Sequence, residues 1–159
     1  MTGISYKATI DDQDMREKLA ELIGKMNHPE GFYKNVGEHL LNSVKDNFEN
    51  ESAPDGSRWK TLSQATRDQR EKKYGHAPTT ILRASGDLMN SINAESDDSQ
   101  VRIGTALVYA AIHQFGGDAG RGNKVKIPAR PYLGLSAVDE EEIFAVAEEW
   151  FSANEGAGE

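Results

Sequence analysis

Four histidines, His28, His39, His76 and His113, are the side chains here best suited to hold a metal or move a proton near neutral pH. They are scattered: there is no HExxH and no pair four residues apart, so no metal site is expected. The Gly-rich stretch from Gly116 to Lys124 ends on a lysine, as a phosphate-cradling loop does. Val125 follows it, however, and no hydroxyl stands where a GxxxxGK[ST] loop would hold magnesium. Ser85-Gly86 lacks the GxSxG context of a hydrolase nucleophile, and Asp87, Asp97 and Asp98 all sit where turns or helix caps use carboxylates. No catalytic residue, metal ligand or cofactor site is therefore expected, and the chain reads as a non-enzyme.

Composition narrows the classes further. The 159 residues suffice for one domain with one core, expected over residues 1–153 with a flexible tail at 154–159. Hydrophobic content of 37% is lean, so part of the chain is expected to be loop or arm. With no cysteine, disulfides and thiol chemistry are excluded. The opening MTGISYKATIDD has neither a basic nor an apolar signal region, and no apolar run approaches the ~20 residues of a membrane helix, so a soluble cytoplasmic product is expected. Eighteen basic against 26 acidic side chains give a net charge of −8, which opposes binding to phosphate backbones. The charge is polarised, with a basic cluster at Arg67 to Lys73 and an acidic one at Asp139 to Glu142, either two solvated helix faces or complementary patches.

The elements that must position these residues follow from hydrophobic spacing. Ile4, Tyr6, Ala8 and Ile10 alternate as in a half-buried strand. Asp11 and Asp12 can cap a helix carrying Met15, Leu19, Leu22, Ile23 and Met26, which His28-Pro29-Glu30-Gly31 ends. A second amphipathic helix with Tyr33, Val36, Leu40, Leu41, Val44 and Phe48 suggests an antiparallel pair with the first. Pro54-Asp55-Gly56 fits a β-turn, with Trp59 anchoring the loop. A helix is expected to start near Ser63 and to be exposed; Ser85-Gly86 should turn into a short helical segment with Leu88, Met89 and Ile92. Val101 and Ile103 read as a strand behind a hairpin tip at SDDSQ. Tyr109 to Phe115 is a short helix ending at Gly116-Gly117, Asp118 to Lys124 is too glycine-rich to pack, and the prolines of KIPARPY impose an extended segment at a sheet edge. A last helix spans about Val138 to Ser152. The fold class is α+β: a small antiparallel sheet against two or three amphipathic helices, with a long Gly-rich loop.

The glycine loop with Arg121 and Lys124 is either a mobile arm that orders against a neighbour or an ordinary loop. Arg130 either holds an internal carboxylate or reaches across an interface, and His113, among Ala110, Ala111, Ile112 and Phe115, suits a packed or interface histidine bonded to a backbone carbonyl.

PDGSRW (Pro54 to Trp59), TLSQAT (Thr61 to Thr66), ILRASGDLMNSI (Ile81 to Ile92), VRIGTALVYAAIHQFGG (Val101 to Gly117) and IPARPYLGLS (Ile127 to Ser136), in this order, resemble the phage virion morphogenesis family of Mu-like phages. The likeness covers about Tyr33 to Phe151. It implies a structural subunit acting in tail completion or head–tail joining, with neck, tail or connector proteins as partners and a ring of copies at the neck. It implies neither cofactor, membrane nor sequence-specific nucleic acid, and a place in the host cytoplasm during assembly and in the virion afterwards. The candidate contact residues are Arg121, Lys124, Lys126, Arg130 and Tyr132; the candidate motif core is Trp59, Gly86, Tyr109, His113, Phe115, Gly116 and Pro131. The competing reading is a small phage-encoded enzyme or lysis accessory with an unrecognised site.

Overall fold

The computed structural model describes residues 3–76 and 78–155, without the side chains of residues 154 and 155. Most of the expected tail lies outside the described residues. Strand β1 is only Ile4–Ser5, so the expected strand stops early, and Ile10 is buried from the loop beyond it. Helix α1, Gln13–Lys25, starts at Asp12, whose carboxylate accepts from the Met15 amide at 2.9 Å. Helix α2, Glu30–Asn50, buries Phe32, Val36, Leu40, Val44 and Phe48, an unbroken four-residue spacing that keeps one stripe inward. That stripe is covered by the sheet and by the last helix, so α1 packs against the last helix rather than pairing with α2.

The chain then turns through Pro54-Asp55-Gly56, where the Gly56 amide donates to the Ala53 carbonyl at 2.9 Å. Helix α3, Gln64–Tyr74, is capped by Ser63 and buries no residue. A single helical turn, α4, Asp87–Asn90, presents Leu88 to the core and leads into β2, Asn93–Ser96, and β3, Val101–Thr105. The sheet is antiparallel, in the order β1-β3-β2, with Ile4 opposite Thr105 and Ala94 opposite Ile103. The tip between β2 and β3 is tied by Asp97, which accepts from the Ser99 hydroxyl and amide and from Gln100. Those bonds hold its carboxyl at about 2. Helix α2 lies directly on this sheet: a Cβ at Gly37 would sit 3.1 Å from Val101 and 3.2 Å from Ala94.

Helix α5, Ala110–Phe115, precedes the glycine-rich segment, which is more ordered than its composition suggests. Strand β4, Gly117–Ala119, pairs with β5, Val125–Ile127, and a 3-10 turn at Arg121–Asn123 makes the tip. The glycine loop is thus the end of a two-stranded hairpin. After β5 the extended chain leaves the sheet edge and passes inward, burying Arg130, Tyr132 and Leu133. Helix α6, Ala137–Glu155, packs Ile143 and Ala147 against α1 and α2.

One aromatic group joins the distant motifs. Phe48 of α2 lies 5.6 Å from the Trp59 ring and 5.1 Å from the Tyr132 ring, all three buried. The Trp59 indole donates to the Pro131 carbonyl at 2.7 Å.

Candidate subunit interface

The extended segment 128–133 is built into the molecule by side chains that replace a missing sheet partner. Gln114, on the inner face of α5, accepts from the Tyr132 and Leu133 amides, each at 3.0 Å, and donates to the Leu133 carbonyl at 2.9 Å. The Tyr132 hydroxyl donates to the Ala110 carbonyl at 3.0 Å, and the Arg130 amide donates to the His113 carbonyl at 2.8 Å. Gly116 makes the approach possible. At φ 72° it is left-handed, and a Cβ there would lie 2.7 Å from the Ala129 amide nitrogen.

This packing exchanges the expected roles of several residues. Tyr132 is fully buried, which removes it from the folded chain's contact surface. Arg130 is 6% exposed, and its guanidinium donates to the carbonyls of Lys60 and Thr61, at 2.8 and 3.2 Å. It holds backbone rather than a carboxylate. Conversely, Phe115 is 69% exposed and Tyr109 45% exposed, so neither holds the motif core together. The reason is helical phase. Ala110 and Gln114, four apart, take the inward face of α5, which turns Phe115 outward.

Arg121, Lys124 and Lys126 stand exposed on the hairpin, while Trp59 lies in the core, Gly86 turns into α4 at φ 82°, and Pro131 offers its carbonyl to Trp59. His113 is half-buried, its ring edge-on to Tyr109 with centroids 6.0 Å apart. Its Nδ1 is buried without a hydrogen bond among the described residues, so the expected imidazole-to-carbonyl bond is not formed. Burial, then the charge of Arg130, pushes its pKa down.

Beside these residues lies a groove of about 570 Å³, walled by the start of α3, the loop before α4, α5 and strand β5. Lys60, Arg70, Lys126 and Arg130 line it with Tyr109 and Val125. Two of its lining residues, Tyr109 and Val125, are exposed apolar side chains, and Val108 and Phe115, at the two ends of the α5 segment, are exposed as well, all four at 45% or more.

A second polar cluster forms where the sequence showed only an acidic run at Asp139 to Glu142. Ser136 and Asp139 form a reciprocal N-terminal box on α6, the Ser136 amide and hydroxyl donating to the carboxylate and the Asp139 amide donating back to the hydroxyl at 3.1 Å. Ser43 and His39 of α2 also reach this carboxylate, each at 2.9 Å. Asp139 is 2% exposed, so the acidic run at the start of α6 presents Glu140 to Glu142 and not Asp139. Among the described residues no group of three or more His, Asp or Glu side chains is arranged to hold a metal ion, and no helix is long and apolar enough to cross a membrane.

Residues 10–152 match the phage virion morphogenesis family. The chain is 32% identical over 144 residues to protein G of Escherichia phage Mu, provisionally named for capsid assembly, covering 89% of this chain and 91% of that protein. It is 34% identical to a Mu-like prophage G protein 2 of Haemophilus influenzae, over 87% and 90% of the two chains, and 28% identical to a G protein 1 of the same organism, over 90% and 91%. No solved structure matches significantly.

Proposed function

This chain belongs to the phage virion morphogenesis family, and from that premise we propose that it completes the tail or joins it to the head, as one copy in a ring at the neck. Its role in virion morphogenesis is structural. The observation that carries the contact role is the exposure of four large apolar side chains, Val108, Tyr109, Phe115 and Val125, of which Tyr109 and Val125 line the groove. A folded chain gains nothing from leaving four large apolar side chains of α5, its preceding residue pair and β5 in water, whereas a subunit that meets neighbours does. The exposed hairpin cations Arg121, Lys124 and Lys126 border the same region and suit contacts with acidic neck, tail or connector proteins. In this reading the chain assembles in the host cytoplasm and joins the virion, without membrane or sequence-specific nucleic acid as partner.

The name of the phage Mu relative favours a second reading, assembly of the capsid itself. Electron microscopy of lysates from a prophage carrying an early stop codon in this gene separates them. Filled heads beside unattached or abnormally long tails support the neck role; loss or deformity of heads supports the capsid role. Normal, intact virions would overturn both.

A further inference from the structure

The groove beside α5 is cationic in a chain whose net charge is −8. Lys60, Arg70, Lys126 and Arg130 line it, and no carboxylate among the described residues does. No ion pair among the described residues neutralises it. The ion pairs among the described residues are Lys25 with Glu21 and His39 with Asp139, both elsewhere. Arg130 bonds carbonyls through Nε and Nη2 and leaves Nη1 without a hydrogen bond among the described residues. Burial and then the like charge of Arg70 press the Arg130 pKa down, with Glu51 offsetting them in part. Burial and Arg130 press His113 the same way. An anion in the groove would relieve both.

The complementary surface stands on the same chain, away from the groove. Helix α6 contains no lysine or arginine over residues 137–155. Val138, Glu141, Glu142 and Ala145 are all exposed at i, i+3, i+4 and i+7, one row down one side of the helix. Val138 is 64% exposed, an apolar residue at the head of an acidic row, matching a groove that sets Val125 and Tyr109 beside cations. We propose that the groove receives the first two turns of α6 from a second copy of this chain. The contact joins two different surfaces, so it is heterologous and propagates head to tail, closing as a ring or running on as a filament. It rests on the neck reading only in naming a second copy as the partner of that exposed surface.

The test is a charge exchange followed by sedimentation at low ionic strength. The native chain should self-associate. Glu141→Lys with Glu142→Lys reverses the row, and Lys60→Glu with Lys126→Glu sets two carboxylates beside Arg70 and Arg130 and cancels the groove's charge; all four substituted side chains are exposed. Each double variant alone should sediment as a monomer, because the row variant sets cations against cations and the groove variant no longer attracts the acidic row. An equimolar mixture should associate again, since each variant offers the other a complementary surface. If a reversed variant loses its native circular dichroism, Glu141→Gln with Glu142→Gln and Lys60→Gln with Lys126→Gln should each weaken association at least about tenfold. A monomeric native chain, a reversed variant that associates like the native one, or a mixture that stays monomeric overturns the proposal. So does a short DNA duplex bound by the native chain and released by the groove variant, which would assign the cations to phosphate. Failure here leaves the neck role standing, because joining can run through other proteins. Intact virions from the stop-codon prophage would remove that role and leave this association measurable.

Discussion

Gln114 meets Leu133 as one strand meets another: its amide nitrogen donates to the Leu133 carbonyl at 2.9 Å while its carbonyl oxygen accepts from the Leu133 amide at 3.0 Å. A side chain on a six-residue helix therefore supplies the hydrogen bonds that an adjacent strand would give to the proline-bounded segment. The segment can thus run through the interior, where unpaired backbone is costly.

Replacing Gln114 with alanine leaves the Tyr132 and Leu133 amides and the Leu133 carbonyl without partners in a buried place. Each such group costs about 1–3 kcal/mol. For three such groups the expected loss is at least about 3 kcal/mol, a large part of a small domain's stability. Urea unfolding followed by the fluorescence of Trp59 and Trp150 measures it. A loss under about 1 kcal/mol would mean that water takes over these bonds.

Phe115 and Tyr132 should separate stability from assembly. Phe115→Ser removes a side chain that is 69% exposed, so the folded chain should change by no more than about 0.5 kcal/mol. Complementation of a stop-codon prophage should nonetheless fail. Tyr132→Ala empties a fully buried site between Phe48 and α5 and should cost about 3 to 5 kcal/mol. If Phe115→Ser supports normal phage titres, the exposed apolar rim is not the contact surface.

How much of this was legible in sequence depended on which physical signal each residue carries. The α2 stripe, the Asp12 and Ser63 caps and the buried Trp59 follow from local spacing and turn chemistry, and they stand where those rules put them. Tyr132 and Arg130 misled because proline-bounded extended chain reads as an edge. What brings it inside is Gln114, a distant polar side chain that no hydrophobic pattern reports. Phe115 misled for the complementary reason: a large aromatic suggests core, but the Ala110–Gln114 pair had already fixed the inward face of α5. The hairpin of β4 and β5 was hidden because glycine lowers strand propensity without forbidding the pairing. The groove was invisible because its cations come from separate segments.

Asp139 sets the sign of an acid response. Burial raises its pKa, but hydrogen bonds from Ser136, Ser43 and His39 outweigh burial and leave it below its ordinary 3.8. A carboxyl depressed in the folded state contributes stability that is fully present above the unfolded value. That contribution declines as pH falls below about 3.8 and is gone once pH has passed through the lower folded value. Asp139→Asn should therefore be less stable than the native chain at pH 6, with the gap narrowing as pH falls through that window. Paired urea midpoints from pH 6 to pH 2 give the comparison, and a gap constant across the range would mean that the carboxylate charge is not what Ser43 and His39 stabilise.

Gly31 and Trp150 fix how closely α2 and α6 approach, and with them the position of the acidic row on α6. A Cβ at Gly31 would overlap the outer ring atoms of the Trp150 indole, so even alanine forces the indole or the helix to move. Gly31 sits inside the first turn of α2, where alanine is the better helix former by about 1 kcal/mol, so propensity alone predicts stabilisation. Overpacking acts the other way by about 1–3 kcal/mol, and Gly31→Ala should be net destabilising. Trp150→Phe removes the overlapping ring at its own cost in packing. The double variant should be more stable than the two single losses added together, with a coupling of at least about 0.5 kcal/mol. Strict additivity in that cycle would show that α6 shifts freely along α2, and the row of Val138, Glu141 and Glu142 would then have no fixed place to present to a neighbour.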